Sequence, residues 1–88
     1  MNESIALVTG GSRGIGRTIC EALARQGWDV VAVARDRNAL AQTAQMIATA
    51  GGKCEPLVCD ARDRSAIEQC VATVERRHGQ IDLLVNNA

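Results

Sequence analysis

Residues 5–16 read IALVTGGSRGIG, and this stretch decides the fold. It opens on a continuous apolar run, residues 5–9, which is typical of a strand buried in a parallel sheet. Glycines follow at positions 10, 14 and 16, and Ile15, Ile19 and Leu23 then recur at the four-residue spacing of an amphipathic helix. A buried strand that passes through glycines into a helix is the context that a dinucleotide-binding turn requires.

Three glycines of the turn have predicted roles. Gly10 permits a sharp exit from the strand, Gly14 lets the backbone approach a pyrophosphate, and Gly16 lets the helix pack closely on the sheet. The helix N-terminus offers unpaired N–H groups and a partial positive charge to the phosphates. The predicted cofactor-binding residues of this turn are Gly10, Ser12, Arg13, Gly14, Ile15 and Gly16.

A second phosphate-binding pattern overlaps the first. Gly11-x4-Gly16-Arg17-Thr18 nearly fits the P-loop, but Arg17 stands where that loop has a lysine. The planar guanidinium is no compact point charge between phosphates, and Arg17 falls inside the predicted helix. We therefore favour the dinucleotide turn over an NTPase site.

The rest of the chain alternates strand and helix patterns without a linker. Strands are predicted at 5–9, 29–34, 53–58 and 81–85. The first helix closes at Gly27, the second begins near Asp36 with Leu40, Ala44 and Ile47 on its inner face, and the third extends from an N-cap at Asp63 to Gly79. The resulting βαβαβαβ order predicts an α/β fold, a Rossmann-type doubly wound parallel sheet.

Strand order follows from Pro56, the only proline of the chain. A proline cannot donate to the ladder, so the third strand belongs at an edge, which the order 3-2-1-4 satisfies. The fourth strand would then be a bare apolar edge, which is an aggregation hazard in a free-standing protein. We therefore expect residues 1–88 to be the N-terminal part of a single dinucleotide-binding domain that is truncated here.

Composition excludes several other classes. Ten basic and ten acidic residues cancel, and the pI is about 6.5, which argues against a nucleic-acid or anionic-membrane surface. No apolar stretch could span a membrane, and the N-terminus does not resemble a secretion signal, so we predict a cytoplasmic protein. The spacings of the four cysteines fit no metal or redox motif, and we interpret them as reduced, apolar fillers.

Three motifs now stand in register along the chain. They are Thr9-Gly-x-x-x-Gly-Ile-Gly16, Asp60 after the third strand, and Asn86-Asn87-Ala88 after the fourth. Together they resemble the short-chain dehydrogenase/reductase family, and ALVTGGSRGIG with IDLLVNNA most resembles 3-oxoacyl-acyl-carrier-protein reductases. The resemblance implies a small-molecule carbonyl or acyl thioester as substrate and a homo-oligomer at full length. It also implies that Asp60 bonds the adenine amino group, that Ala61 lines the adenine, and that Asn87 and Ala88 lie beside the adenine ribose.

The cofactor is predicted from the end of the second strand. Ala34 is followed by Arg35, so no carboxylate stands there to repel a 2′-phosphate, and Arg35 and Arg13 could bind that group. In this family the two basic positions imply NADP(H). Two alternatives stay open: Arg35 is a solvated loop charge, or Asp36 bonds the ribose instead of capping the second helix. Asp60 also has an alternative role, in an Asx-type turn before the third helix.

The catalytic half of the family pattern does not occur in this sequence. The family uses a Tyr-x-x-x-Lys pair with Ser and Asn, and this chain has no tyrosine, so we assign no catalytic residue and no metal ligand. His78 fits a structural role at a helix C-terminus. Two hypotheses follow: the NADP(H)-binding portion of a carbonyl-reducing oxidoreductase, or a truncated, inactive nucleotide-binding fragment. The intact mass of the purified protein would separate them.

Overall fold

A computed structural model describes residues 4–87 of the chain. Strands and helices alternate throughout, with the strands called β1 to β4 and the helices α1 to α3. The elements are β1 (Ile5–Thr9), α1 (Gly14–Arg25), β2 (Asp29–Ala34), α2 (Arg37–Thr49), β3 (Lys53–Val58), α3 (Arg64–His78) and β4 (Leu83–Asn86). This is the βαβαβαβ order that the sequence predicts.

The four strands form one parallel sheet in the order β3-β2-β1-β4. Pro56 lies on the edge strand β3, opposite Ala32 of β2. An edge strand has a neighbour on one side only, so a residue without an N–H is tolerated there. β4 forms the other edge, and the Leu84 side chain there is 60% exposed. The doubly wound topology and its strand order are therefore confirmed.

Helices cover both faces of the sheet. On one face α1 and α2 enclose a core that includes Val8, Val30 and Leu40. On the other face α3 packs Cys70 and Val74 against the opposite side chains of the same strands. Because β1 and β2 are buried on both sides, they read as unbroken apolar runs.

The helix ends are set by local signals. Asp36 caps α2 by accepting a hydrogen bond from Ala39 N at 3.0 Å, and Asp63 caps α3 through the N–H groups of Ser65 and Ala66. Gly27, with φ of 97°, ends α1 in a Schellman arrangement. The two predicted caps and the predicted terminal glycine are confirmed.

Three details of the sequence-based prediction are wrong. β4 begins at Leu83 rather than at residue 81, because Asp82 uses its carboxylate to accept from Ile5 N at 2.8 Å ahead of the ladder. Ile15 lies off the buried positions of α1, which are Gly16 and Cys20, and is 73% exposed. On α2 the buried positions are Leu40, Thr43 and Ile47, and Ala44 is only half-buried.

All four cysteines are free thiols within the layers. Burial raises the pKa of Cys20 to about 12 and those of Cys54 and Cys70 to about 11, so the three thiols stay protonated at neutral pH. Within residues 4–87, no group of three or more His, Cys, Asp or Glu side chains could hold a metal ion. None of the described helices is long and apolar enough to cross a membrane.

Candidate functional site

A groove of about 470 Å³ opens at the carboxyl ends of β1, β2 and β3. Parallel α/β sheets bind ligands at this end, because the loops that leave the strands meet there. Three loops line the groove, one from each strand. The lining residues are Gly10, Ser12, Arg13, Ala34, Arg35, Asp36, Cys59, Asp60, Ala61 and Arg62.

The turn after β1 presents backbone donors to this end of the sheet. Gly10 has a φ of 71° and donates its N–H to the Val33 carbonyl at 2.8 Å, which fixes the exit from the strand. Gly14, with a φ of 61°, starts α1, and no side chain caps that helix. The first N–H groups of α1 thus remain available to an anion, whereas aspartates cap α2 and α3.

Gly16 is more tightly enclosed than Gly11 and Gly14 of the same turn. A Cβ built on it would lie 1.8 Å from the Gly10 carbonyl oxygen and 2.8 Å from Asn87 Nδ2. The first turn of α1 therefore packs directly on the backbone that leaves β1. This contact agrees with the close helix packing predicted for Gly16, and a side chain there would push the two apart.

Arg17 and Thr43 support the turn from the side of α2, a contact that the sequence analysis did not predict. Arg17 donates to the Ser12 and Ala39 carbonyls, and its Nε donates to Thr43 Oγ1 at 2.8 Å. The buried Thr43 hydroxyl lies 2.9 Å from the Gly11 carbonyl oxygen. The guanidinium at the P-loop-like position thus joins the turn to α2 rather than extending into the groove.

Two arginines face the groove from different loops. Arg13 belongs to the turn after β1, Arg35 follows β2, and both side chains are exposed. Asp36, the nearest carboxylate in sequence, has its Oδ1 turned back to its own helix as the N-cap. This wall of the groove can therefore bind an anion through fork-shaped guanidinium donors.

Asp60 lies on the third loop and binds a residue that the sequence-based analysis missed. Its Oδ1 accepts from Arg62 N at 3.0 Å, which forms the Asx-type turn, and from Arg62 Nε at 3.1 Å. Its Oδ2 accepts from Arg62 Nη2 at 3.2 Å. These hydrogen bonds lower the pKa of the Asp60 carboxyl, which is already ionised at neutral pH.

The Thr9 hydroxyl connects β1 to the end of β4. It lies within donating distance of the Val85 carbonyl oxygen (3.4 Å) and of Asn86 Oδ1 (3.2 Å), and it accepts from Asn87 N at 3.0 Å. Asn87 Nδ2 in turn lies 3.5 Å from the Gly10 carbonyl oxygen. Asn86 therefore ties β4 to β1, and Asn87 is held against the turn.

Replacing Thr9 by valine tests this connection. Valine keeps the shape but leaves Asn87 N and Asn86 Oδ1 without their partner, so we expect the free energy of unfolding to fall by about 1–2 kcal/mol. Urea unfolding followed by circular dichroism measures the change. Thr49→Val, at an exposed position of α2, is the control. An equal effect of both substitutions would argue against the connection.

The predicted site residues fall into three groups in the structure. Those that line the groove together are Gly10, Ser12, Arg13, Arg35, Asp60 and Ala61. Gly14, Ile15 and Gly16 form the first turn of α1, and Asn87 packs on Gly10 rather than lining the groove. Ala88 lies outside the described residues.

A scan of family models matches residues 4–88 to the short chain dehydrogenase model. Among curated proteins, dehydrogenase/reductase SDR family member 1 of Mus musculus is 40% identical over 89 residues, which cover 100% of this chain and 28% of that protein. Gluconate 5-dehydrogenase of Gluconobacter oxydans is 43% identical, covering 94% of this chain and 32% of the relative. The chain thus spans about a third of the length of these relatives.

Solved structures of oxidoreductases are also similar to this chain. A metagenomic short-chain oxidoreductase in complex with NADP superposes with a TM-score of 0.94 at 41% identity, over 100% of this chain and 40% of the other. A variant of the actinorhodin polyketide ketoreductase with NADPH gives 0.92 at 38% identity, over 100% and 35%. The family model covers nearly the whole sequence, and the relatives share its fold and over a third of its residues. The chain belongs to the short-chain dehydrogenase family.

Proposed function

We propose that this chain is the NADP(H)-binding portion of an oxidoreductase that reduces a carbonyl to an alcohol. The observation that carries the proposal is the pair of exposed guanidiniums, Arg13 and Arg35, on two loops of one groove. A dianionic 2′-phosphate between them would gain charge-assisted hydrogen bonds from both sides. A 2′-hydroxyl would gain less, because it carries no charge.

The remaining groove residues fit the other parts of the same ligand. The uncapped N-terminus of α1, with Gly14, Ile15 and Gly16, suits the pyrophosphate. Asp60 and Ala61 line the same groove, and we assign Asp60 to the adenine amino group and Ala61 to the adenine ring. Asn87 and Ala88 are assigned to the adenine ribose, on the family pattern alone. The NADPH and NADP named with the two solved relatives support this assignment.

The activity of the whole protein follows by the same inference. When bound, NADPH supplies the hydride, and the residues described here hold the nucleotide end that does not react. A 3-oxoacyl thioester is our preferred substrate, since the relatives include ketoreductases, among them a putative ketoacyl reductase of Streptomyces coelicolor. We further propose that the whole protein is a homo-oligomer located in the cytoplasm.

Calorimetric titration of the purified chain with NADPH and with NADH tests the cofactor assignment. We expect NADPH to bind at least about tenfold more tightly in low salt, since one extra charge-assisted bond gives that difference. The advantage should shrink as ionic strength rises, because both arginines are exposed. Equal affinities would contradict the NADP(H) preference, and no binding of either nucleotide would contradict the site.

A further inference from the structure

We propose that Arg62 is a positioning residue that orients the Asp60 carboxylate to recognise the amino group of the adenine base. The inference rests on the proposed function, because it concerns the adenine end of the same nucleotide site. Arg62 lines the groove but belongs to none of the three sequence motifs described above. Its contacts to Asp60 specify the role.

The first point is the geometry of the contact between Arg62 and Asp60. Backbone N and side-chain Nε of Arg62 both donate to Asp60 Oδ1, and Nη2 donates to Oδ2 at 3.2 Å. Two parallel guanidinium bonds define the plane of a carboxylate, and the backbone bond fixes which oxygen faces the turn. The side chain is therefore oriented before any ligand arrives.

The second point is the acceptor capacity that remains. A carboxylate has about four lone-pair sites. Arg62 fills two on Oδ1 and one on Oδ2, and no other residue of 4–87 donates to the Asp60 carboxylate. One site on Oδ2 of the carboxylate is thus left for a donor from the groove. An N–H donor fits this position and a carbonyl oxygen does not.

The third point is charge. The Asp60 carboxyl is exposed and ionised at neutral pH, and the hydrogen bonds from Arg62, with a smaller contribution from the nearby Arg35, lower its pKa further. An ionised carboxylate only accepts hydrogen bonds. It attracts the 6-amino group of adenine and repels the 6-keto oxygen of hypoxanthine. Because Arg62 fixes the orientation of this carboxylate, it should influence discrimination between the two bases.

The pair is too exposed to serve mainly in stabilising the fold. The Arg62 side chain is 70% exposed and that of Asp60 is 37% exposed. Ion pairs in such positions contribute little to stability. Substitution of Arg62 should therefore change nucleotide recognition while leaving unfolding nearly unaffected, and this difference makes the proposal testable.

The experiment titrates the full chain with NADP⁺ and with its hypoxanthine analogue. For Arg62→Ala we expect about fivefold weaker NADP⁺ binding, the loss of roughly one hydrogen bond, with little change for the analogue. Arg62→Lys keeps the charge without the fork and should lie in between. Arg64→Ala, an exposed arginine outside the groove, should match the wild type.

The outcomes separate the inference from the function on which it rests. Unchanged base preference in Arg62→Ala, with NADP⁺ still bound, overturns the inference alone. Equal weakening of both nucleotides also overturns it, because Arg62 would then be a phosphate ligand. A fall in Tm of more than about 3 °C would show a structural role instead. Failure of the wild type to bind either nucleotide overturns the proposed function, and the inference with it.

Discussion

Replacing Arg35 by aspartate is expected to weaken NADPH binding about 100-fold and to leave NADH binding within a few-fold of the wild type. The arginine follows β2, is exposed, and lines the groove. Losing its charge-assisted bonds costs roughly 1.5–3 kcal/mol, and the new carboxylate repels a 2′-phosphate. The same carboxylate can accept a hydrogen bond from a 2′-hydroxyl, which offsets any loss for NADH.

Calorimetric titration of the variant with both cofactors measures this change in preference. Arg37→Asp is the matched control, since Arg37 is exposed on the first turn of α2 but does not line the groove. It introduces the same charge two residues away and should change NADPH affinity far less. Equal losses for NADPH and NADH in Arg35→Asp would rule out contact with the 2′-phosphate.

The second large effect is expected from Gly16→Ala. The added Cβ would lie 1.8 Å from the Gly10 carbonyl oxygen and 2.6 Å from its carbon, and both atoms are backbone. No rotamer can relieve this overlap, so α1 must move away from β1. We expect the free energy of unfolding to fall by about 3 kcal/mol, at the upper end for overpacking, and nucleotide binding to be lost. Domains of this size have little stability to spare.

Urea unfolding of Gly16→Ala beside Gly14→Ala isolates the steric cause. A Cβ at Gly14 would meet nothing within 4 Å, so that substitution carries only the cost of a positive φ, about 1–2 kcal/mol. If Gly16→Ala proved no more destabilising than Gly14→Ala, the close approach of α1 to the turn would be refuted.

The parts of the fold that depend on local chemistry could be predicted from the sequence. Pro56 indicated the edge strand, Asp36 and Asp63 indicated the helix starts, and Gly27 indicated a helix end. The aspartates and the glycine act on backbone groups within a few positions of themselves, and the proline lacks the N–H that a central strand needs. The signal and its effect therefore lie in the same short window.

What could not be predicted depends on contacts between distant residues. Arg17 meets Thr43 across 26 positions, and no periodicity shows that a threonine of α2 supports the turn. The Asp60–Arg62 fork is local, and the Asp-x-Arg spacing could have suggested it once an Asx-type turn was considered. Ile15 was misplaced because the four-residue spacing of the apolar residues does not reveal that α1 buries Gly16 and Cys20 instead.

The link from Thr9 to Asn86 and Asn87 has a consequence for the order of folding. It joins residues 77 and 78 positions apart, so nearly the whole chain must be available before it can close. Contacts of such long sequence separation form slowly, because the intervening loop must be closed first. A nascent chain that has not yet released residues 83–87 from the ribosome can pair β1 with β2 but cannot complete the backing of its phosphate-binding turn. The support that β4 gives to the turn is therefore among the last contacts of the chain to form.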